Sequence, residues 1–519
     1  MNPYVYYEYC NYNDADLFTL ILKPDNVGKF PVVIIRSPYV GYTKDIREEE
    51  LAEKFMKENI AWVENNYVLV FQHCRGQGKS SGNFVPYIYE REDGLELRKW
   101  IRRQDFYNGQ IFLLGGSYTA SLHYSTAPFE EDIKGAVFNV QDSERYRLWY
   151  RNGNMRRGHA NWHFDLYKEK SDLNKVHTID SFSEVPIRNL SERVLGERAE
   201  DFEQMLLASC FDHPFWQTRY GGCEARDAVT KANIPILLTT GYNDFYLGGM
   251  FKMWNKMDDQ TKGKCALIVS PYNHGDESYG KNGISFFRGS VAEQFGKDYH
   301  IRWFNSILKQ EKQFVETGKV TYYRTFENIW ETDFYSGTIY EKVVPLGSGV
   351  RTILYNPENP TAFNPAGCFM DAPYKRDDII TVYTEPMDDN VFVRGKMKAK
   401  ITVASNCEDT TFYVMVGIET ENGDYALRHD ITSIIYQKNR YEINSEVVLE
   451  FEFDEYAFLI KKGQRLRVDI APTDKNTYVC HTNIKGDYSE IETKKTAENK
   501  VLLGQSFLIL PVENDFVLT

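Results

Sequence analysis

Four apolar residues, Ile111, Phe112, Leu113 and Leu114, run into Gly115, Gly116, Ser117, Tyr118, Thr119 and Ala120. A serine set among small residues at the end of a strand-like run has the pattern of a sharp strand-to-helix turn, because a bulky Cβ there would collide with the tight backbone. Such a turn commits the chain to a sheet with a helix following the strand, and it exposes the serine hydroxyl at the sheet edge. On these residues alone two readings stand: a nucleophile elbow, or an ordinary turn rich in Gly and Ser.

The surrounding pattern supports a sheet of this kind. Residues 16–23, 30–36 and 67–73 are short β-rich runs followed by the run into Ser117, and residues 48–58 and 90–103 between them place Leu51, Phe55, Leu95, Leu97 and Trp100 among charges at roughly helical spacing. Strands alternating with helices imply a mostly parallel sheet with crossover helices. The pattern returns at residues 234–240 and 265–270, two apolar runs that each end in polar residues. Residues 141–232 differ, being rich in Arg, Tyr, Trp, His and acids, with a helical pattern over 193–209; they read as a helical cap inserted into the sheet domain, or as a peripheral bundle. Beyond residue 325 the runs 391–393, 398–403, 412–419, 447–453 and 465–470 alternate and are separated by turns, which suggests a β-sandwich or jelly roll. The expected organisation is a core over 1–140 and 233–325, a cap over 141–232 and an all-β domain over 326–519.

Composition removes several classes of function. The 519 residues carry 61 Lys+Arg against 74 Asp+Glu, a net charge of −13 that argues against a general nucleic-acid or anionic-membrane surface. Eight cysteines lie scattered without CxxC pairs, so neither a zinc site nor a disulfide framework is suggested, and no metal or organic cofactor is implied. The first residues lack a basic and then apolar leader, and no run approaches the roughly 18 apolar residues of a membrane span. A cytoplasmic protein without membrane partners is expected.

The late strands bear on the two readings of Ser117. The run 234–240 leads to Asp244, and the run 265–270 leads to His274. A serine hydroxyl is a weak nucleophile at neutral pH and needs an imidazole to take its proton and a carboxylate to hold the imidazole's tautomer. Each residue alone has a plain structural role open to it, Asp244 as a helix cap and His274 in a surface turn. Together, after separate strands and in the order Ser117, Asp244, His274, they follow the α/β-hydrolase pattern.

Further motifs resemble the cocaine esterase and X-Pro dipeptidyl-peptidase family of serine hydrolases nearly from end to end. They are the strand end Arg36, Ser37, Pro38, Tyr39; the loop Arg75, Gly76, Gln77, Gly78, Lys79, Ser80, Ser81, Gly82; and the approach from Glu92 and Asp93 through Trp100, Gln104, Asn108 and Gly109 to Ser117. The resemblance implies an α/β-hydrolase core, a helical cap and a C-terminal jelly roll. It further implies Ser117 as nucleophile, His274 as general base and Asp244 as its orienter. The oxyanion would be held by the Tyr39 hydroxyl and the Tyr118 backbone N–H. The chain departs from the family at His73, where an aspartate is usual, at Ala120 for Gly and at Phe106 for Trp; Asp276 stands near enough to His274 to compete with Asp244.

The substrate is less legible. Phe245, Tyr246 and Leu247 follow Asp244 where relatives acting on α-amino acid esters carry acids, and the N-terminal helical domain of the larger X-Pro peptidases is missing from this sequence. Trp149, Trp162 and Phe215 in the cap suit a bulky acyl group, or simply packing. The expected activity is hydrolysis of an ester or amide of a small molecule or short peptide. Release of X-Pro dipeptides is one alternative, and a non-catalytic protein binding carbohydrate or a partner through the jelly roll is another. The edge strands of such a domain also leave room for a homo-oligomer.

Overall fold

The structure is a computed structural model, and it describes residues 2–12, 14–167, 182–219, 222, 226–275, 289–372, 376–487 and 489–513. Ten strands form one sheet: β1 (Tyr4–Tyr12), β2 (Ala15–Lys23), β3 (Phe30–Ser37), β4 (Val68–His73), β5 (Tyr107–Gly116), β6 (Ile133–Asn139), β7 (Ile236–Gly241), β8 (Ala266–Ser270), β9 (Val320–Arg324) and β10 (Ile329–Thr332). Their spatial order is β1-β2-β4-β3-β5-β6-β7-β8-β9-β10. Strands β3 to β9 are mutually parallel, and an antiparallel β1–β2 pair and β10 close the two edges. Val33, Val68, Leu69, Phe112, Leu113, Val137 and Leu237 are fully buried, as expected of parallel strands covered by helices on both faces. The sheet reaches Thr332, so the boundary expected at 325/326 falls between β9 and β10 and would cut it.

The covering helices follow their sequence signals. Helix α1 (Glu48–Glu58) opens on Glu48, Glu49 and Glu50, which favour the positive end of the helix dipole, and buries Leu51 and Phe55. Helix α2 (Glu90–Ile101) has Glu90, Glu92 and Asp93 in its first turn and Arg98 and Lys99 in its last, and buries Leu97 and Ile101. Charge buried against α2 is engaged: Arg75 grips Asp93 with two bonds, at 2.6 and 3.1 Å, and Arg36 donates to Gln72 Oε1 and the Glu90 carbonyl. The Arg36 and Arg75 motifs thus tie strand ends to α2.

Helix α3 (Tyr118–Tyr124) follows β5, and the cap lies between β6 and β7. It includes α4 (Arg145–Trp149), α5 (Arg157–Leu166), α6 (Leu190–Leu195) and α7 (Glu200–Leu207). The single helix expected over 193–209 is two helices, because the chain turns left-handed at Gly196 (φ 79°) and ends α6 there. The cap core is aromatic. Trp149 is wholly buried, with ring centroids 5.0 Å from His163, 5.4 Å from Phe202 and 5.5 Å from His159, and Phe215 packs edge-on to Trp216.

From Ile339 to Glu513 the chain forms two antiparallel sheets, one of eight strands and one of four. The cap is pinned to them. Val479 N–H donates to the Met155 carbonyl at 3.0 Å and Arg157 N–H to the Thr477 carbonyl at 3.0 Å, while Arg151 donates to Asp430 at 2.7 Å and Asp454 at 3.1 Å. No helix among the described residues is long and apolar enough to cross a membrane.

His73 is buried at the end of β4, with its ring 4.9 Å from that of Phe18 and its Nδ1 accepting the Lys79 N–H at 3.2 Å. Burial, reinforced by the Lys79 charge, pushes its pKa down from 6.5 to about 3.

Two outcomes follow from this packing. Trp149→Ala should cost about 3–5 kcal/mol, as a large aromatic truncation in a close-packed core does, read as a lower denaturant midpoint. The folded state keeps His73 neutral while the unfolded chain binds a proton below about pH 6.5, so His73 removes stability as pH falls from there toward its folded value. In His73→Asn the urea midpoint should fall less between pH 6.5 and 4.5 than in the parent protein.

Candidate active site

Ser117 sits between the last residue of β5 and the first of α3 with φ 54° and ψ −133°, a conformation disfavoured for a residue with a side chain. The turn is held on both sides. Ser117 N–H donates to the Asn139 carbonyl at the end of β6 at 2.9 Å, and the Thr119 hydroxyl donates to the Gly116 carbonyl while accepting the Gly116 N–H, both at 2.7 Å. A Cβ at Gly115 would lie 2.6 Å from the Ala120 nitrogen, so only glycine lets α3 start this close to the strand.

Asp244 and His274 come from the neighbouring strand ends. Strands β7 and β8 are parallel with Gly241 opposite Ser270, and beyond them Tyr242 N–H donates to the Ser270 carbonyl and Asn243 N–H to the Tyr272 carbonyl, each at 2.9 Å. A Cβ on Gly241 would lie 2.1 Å from the Tyr272 oxygen; glycine is what allows the two loops to touch. The result is a continuous row: Ser117 Oγ to His274 Nε2 at 3.0 Å, and His274 Nδ1 to Asp244 Oδ1 at 3.1 Å. Asp244 is buried and fully engaged, its Oδ2 accepting the Thr240 hydroxyl at 2.9 Å and its Oδ1 the Tyr246 N–H at 3.0 Å. The Phe245 ring stacks on the His274 imidazole at 4.6 Å and 25°.

Tyr39 stands at the end of β3 on the other side of the serine, its ring 6.4 Å from that of Tyr118. Burial of its phenol pushes the pKa up to about 12, against the opposing influence of hydrogen bonding with Ser117, Trp162 and the Tyr118 backbone, so it stays a protonated donor at neutral pH. Tyr118 points its own side chain inward, donating to Glu90 Oε1 at 2.5 Å and accepting the Tyr87 N–H at 2.7 Å.

Ser117, Asp244, His274 and Tyr39 line a cavity of about 660 Å³. Of the three cap aromatics expected to line a pocket, Trp162 does so, whereas Trp149 and Phe215 are absent from its lining because both are consumed in packing the cap. The sequence reading missed the opposite wall. The antiparallel domain supplies Arg428, His429, Asp454 and Tyr478, and the cap adds Arg156 and His159. The one available signal was Arg428, His429 and Asp430, three successive polar residues between the apolar Tyr425, Ala426 and Leu427 and Ile431 of one strand. Asp276 lies outside the described residues.

The antiparallel domain therefore closes the cavity as its far wall. Comparison with protein families matches residues 14–276 to the X-Pro dipeptidyl-peptidase (S15 family). The cocaine esterase of Rhodococcus sp. (strain MB1 Bresler) is 23% identical over 559 residues, covering 95% of each chain. Among solved structures, an aminopeptidase from a marine sediment Thaumarchaeota archaeon superposes with a TM-score of 0.79 at 16% identity, covering 99% of this chain and 97% of its own. An α-amino acid ester hydrolase superposes with a TM-score of 0.77 at 17% identity, covering 98% and 97%. The shared fold is that of α/β-hydrolases carrying a separate antiparallel domain, and by the family match the chain belongs to the X-Pro dipeptidyl-peptidase S15 family of hydrolases.

Proposed function

We propose that the chain is a serine hydrolase that cleaves an ester or amide through an acyl-enzyme on Ser117. The observation that carries this reading is the unbroken hydrogen-bonded row from Ser117 through His274 to Asp244, opening into the cavity. His274 Nε2 takes the Ser117 proton as Oγ attacks the carbonyl, and Asp244 holds the other nitrogen protonated and stabilises the imidazolium. Negative charge grows on the carbonyl oxygen, where the Tyr39 hydroxyl and the Tyr118 N–H would receive it. His274 then protonates the leaving alcohol or amine, and a water deprotonated by the same nitrogen releases the acid.

The antiparallel domain has a part in this reading without any separate ligand, since it supplies one wall of the cavity. Release of X-Pro dipeptides, the activity in the family's name, needs an acidic group free to meet a substrate ammonium. Among the described residues the lining carboxylates are Asp244 and Asp454, and Asp454 is already bonded to Arg147 and Arg151. That engagement favours an esterase or amidase over a dipeptidyl-peptidase.

A fluorophosphonate probe should label the protein and fail to label Ser117→Ala, and p-nitrophenyl ester turnover should fall at least about 10⁴-fold in that variant. Labelling that persists without Ser117 sinks the assignment. Tyr39→Phe removes one oxyanion donor and leaves the ring, so kcat should drop by about 10²–10³-fold while KM changes much less, measured by steady-state kinetics on the same ester.

A further inference from the structure

The far wall of the cavity holds more guanidinium than carboxylate charge. Arg151 is spoken for, bonded to Asp430 and Asp454, and Arg147 also leans on Asp454 at 3.5 Å. Arg428 is 6% exposed and among the described residues meets only two carbonyls at long range, Glu455 at 3.3 Å and Leu427 at 3.4 Å, with its guanidinium 4.6 Å above the Tyr456 ring. Arg156 pairs with no carboxylate among the described residues. In both arginines Nε is buried and has no hydrogen-bond partner among the described residues, as with His159 Nε2 and His429 Nδ1 on the same lining.

We infer that Arg156 and Arg428, with His159 and His429 beside them, form a subsite for a carboxylate carried by the substrate, so that the enzyme prefers esters or amides bearing an anionic group. This rests on the hydrolase reading above and names its substrate class. The buried Arg428 and the half-buried Arg156, each with an unmade hydrogen bond at a buried Nε, gain charge-assisted bonds when an anion arrives, whereas a neutral substrate leaves them unpaired. The field of the wall agrees with the geometry. Burial, and then the charges of Arg156, Arg151 and Arg428, push the His429 pKa down to about 3, and against its own burial Asp454 is held well below the usual carboxylate range by Arg151, Arg147, Arg428 and Arg156. Glu455, the other acid nearby, is pushed up to about 7 by burial and faces Lys396. An ammonium group entering this wall would meet repulsion.

The test compares mono-p-nitrophenyl esters of succinate, glutarate and adipate with p-nitrophenyl esters of unsubstituted acids of the same chain length. A second arm, 4-acetoxybenzoate against phenyl acetate, puts the carboxylate on the leaving group instead and tells which side of the scissile bond faces the wall. At least one anionic ester should exceed its neutral counterpart in kcat/KM by roughly tenfold or more, and Arg156→Gln or Arg428→Gln should remove most of that ratio. Arg428→Lys, which keeps the charge, should restore part of it. Calorimetry of glutarate with Ser117→Ala measures the subsite without turnover: binding that disappears in Ser117→Ala/Arg428→Gln supports it. Neutral esters cleaved as well as or better than every anionic one, with no glutarate binding, overturns the subsite and leaves the hydrolase intact. No ester cleaved and no fluorophosphonate labelling overturns the hydrolase reading, while glutarate binding then still decides the subsite.

Discussion

The parallel register of β5 to β8 is the constraint on which the site depends. Because these strands point the same way and their ends lie level, Gly116 opposite Asn139 and Gly241 opposite Ser270, the residues just beyond them emerge at one edge of the sheet. Ser117, Asp244 and His274 are far apart in sequence, yet each lies within four residues of a strand end. Backbone hydrogen bonds between the β7 and β8 loops then set the last few ångströms, which side-chain contacts alone could not do so rigidly. A strained backbone at Ser117 is tolerated because the strand, the following helix and the neighbouring β6 carbonyl all hold it.

The second organising feature is electrostatic. The cap meets the antiparallel domain through buried arginines, and Arg151 bonded to Asp430 and Asp454 joins the two where the cavity wall forms. Burying such charge costs desolvation unless each group is paired, so the paired ions read as structure and the under-paired ones as candidates for a ligand. Arg75 with Asp93 illustrates the paired case inside the core, bonded twice and remote from any need for substrate. Arg156 and Arg428 illustrate the other.

Much of this was legible in the chain. The alternation of runs gave the sheet, and β2, β3, β4 and α1 lie within a residue or so of the expected spans, since long apolar and amphipathic patterns report burial directly. The helix over 193–209 failed because its apolar spacing continues across Gly196, and a pattern of burial cannot register one residue's left-handed turn. The boundary at 325/326 failed for a related reason: β10 is four residues long and its burial pattern is mixed, so nothing in it announces membership of the first sheet.

Residue identity alone therefore determined which side chains could do chemistry and in what order they follow strands, because strand ends and tight turns are local properties of the backbone. Only the tertiary structure decided what faces the serine. Trp149 and Phe215 look as suitable for a pocket as Trp162, but side-chain direction within a folded cap separates packing from lining. Arg428, His429, Asp454 and Tyr478 on that wall come from more than 300 residues beyond Ser117, on a domain whose own strands give no hint of what they lie against. Proximity of that kind is created by the docking of domains, and no local pattern in a chain records it.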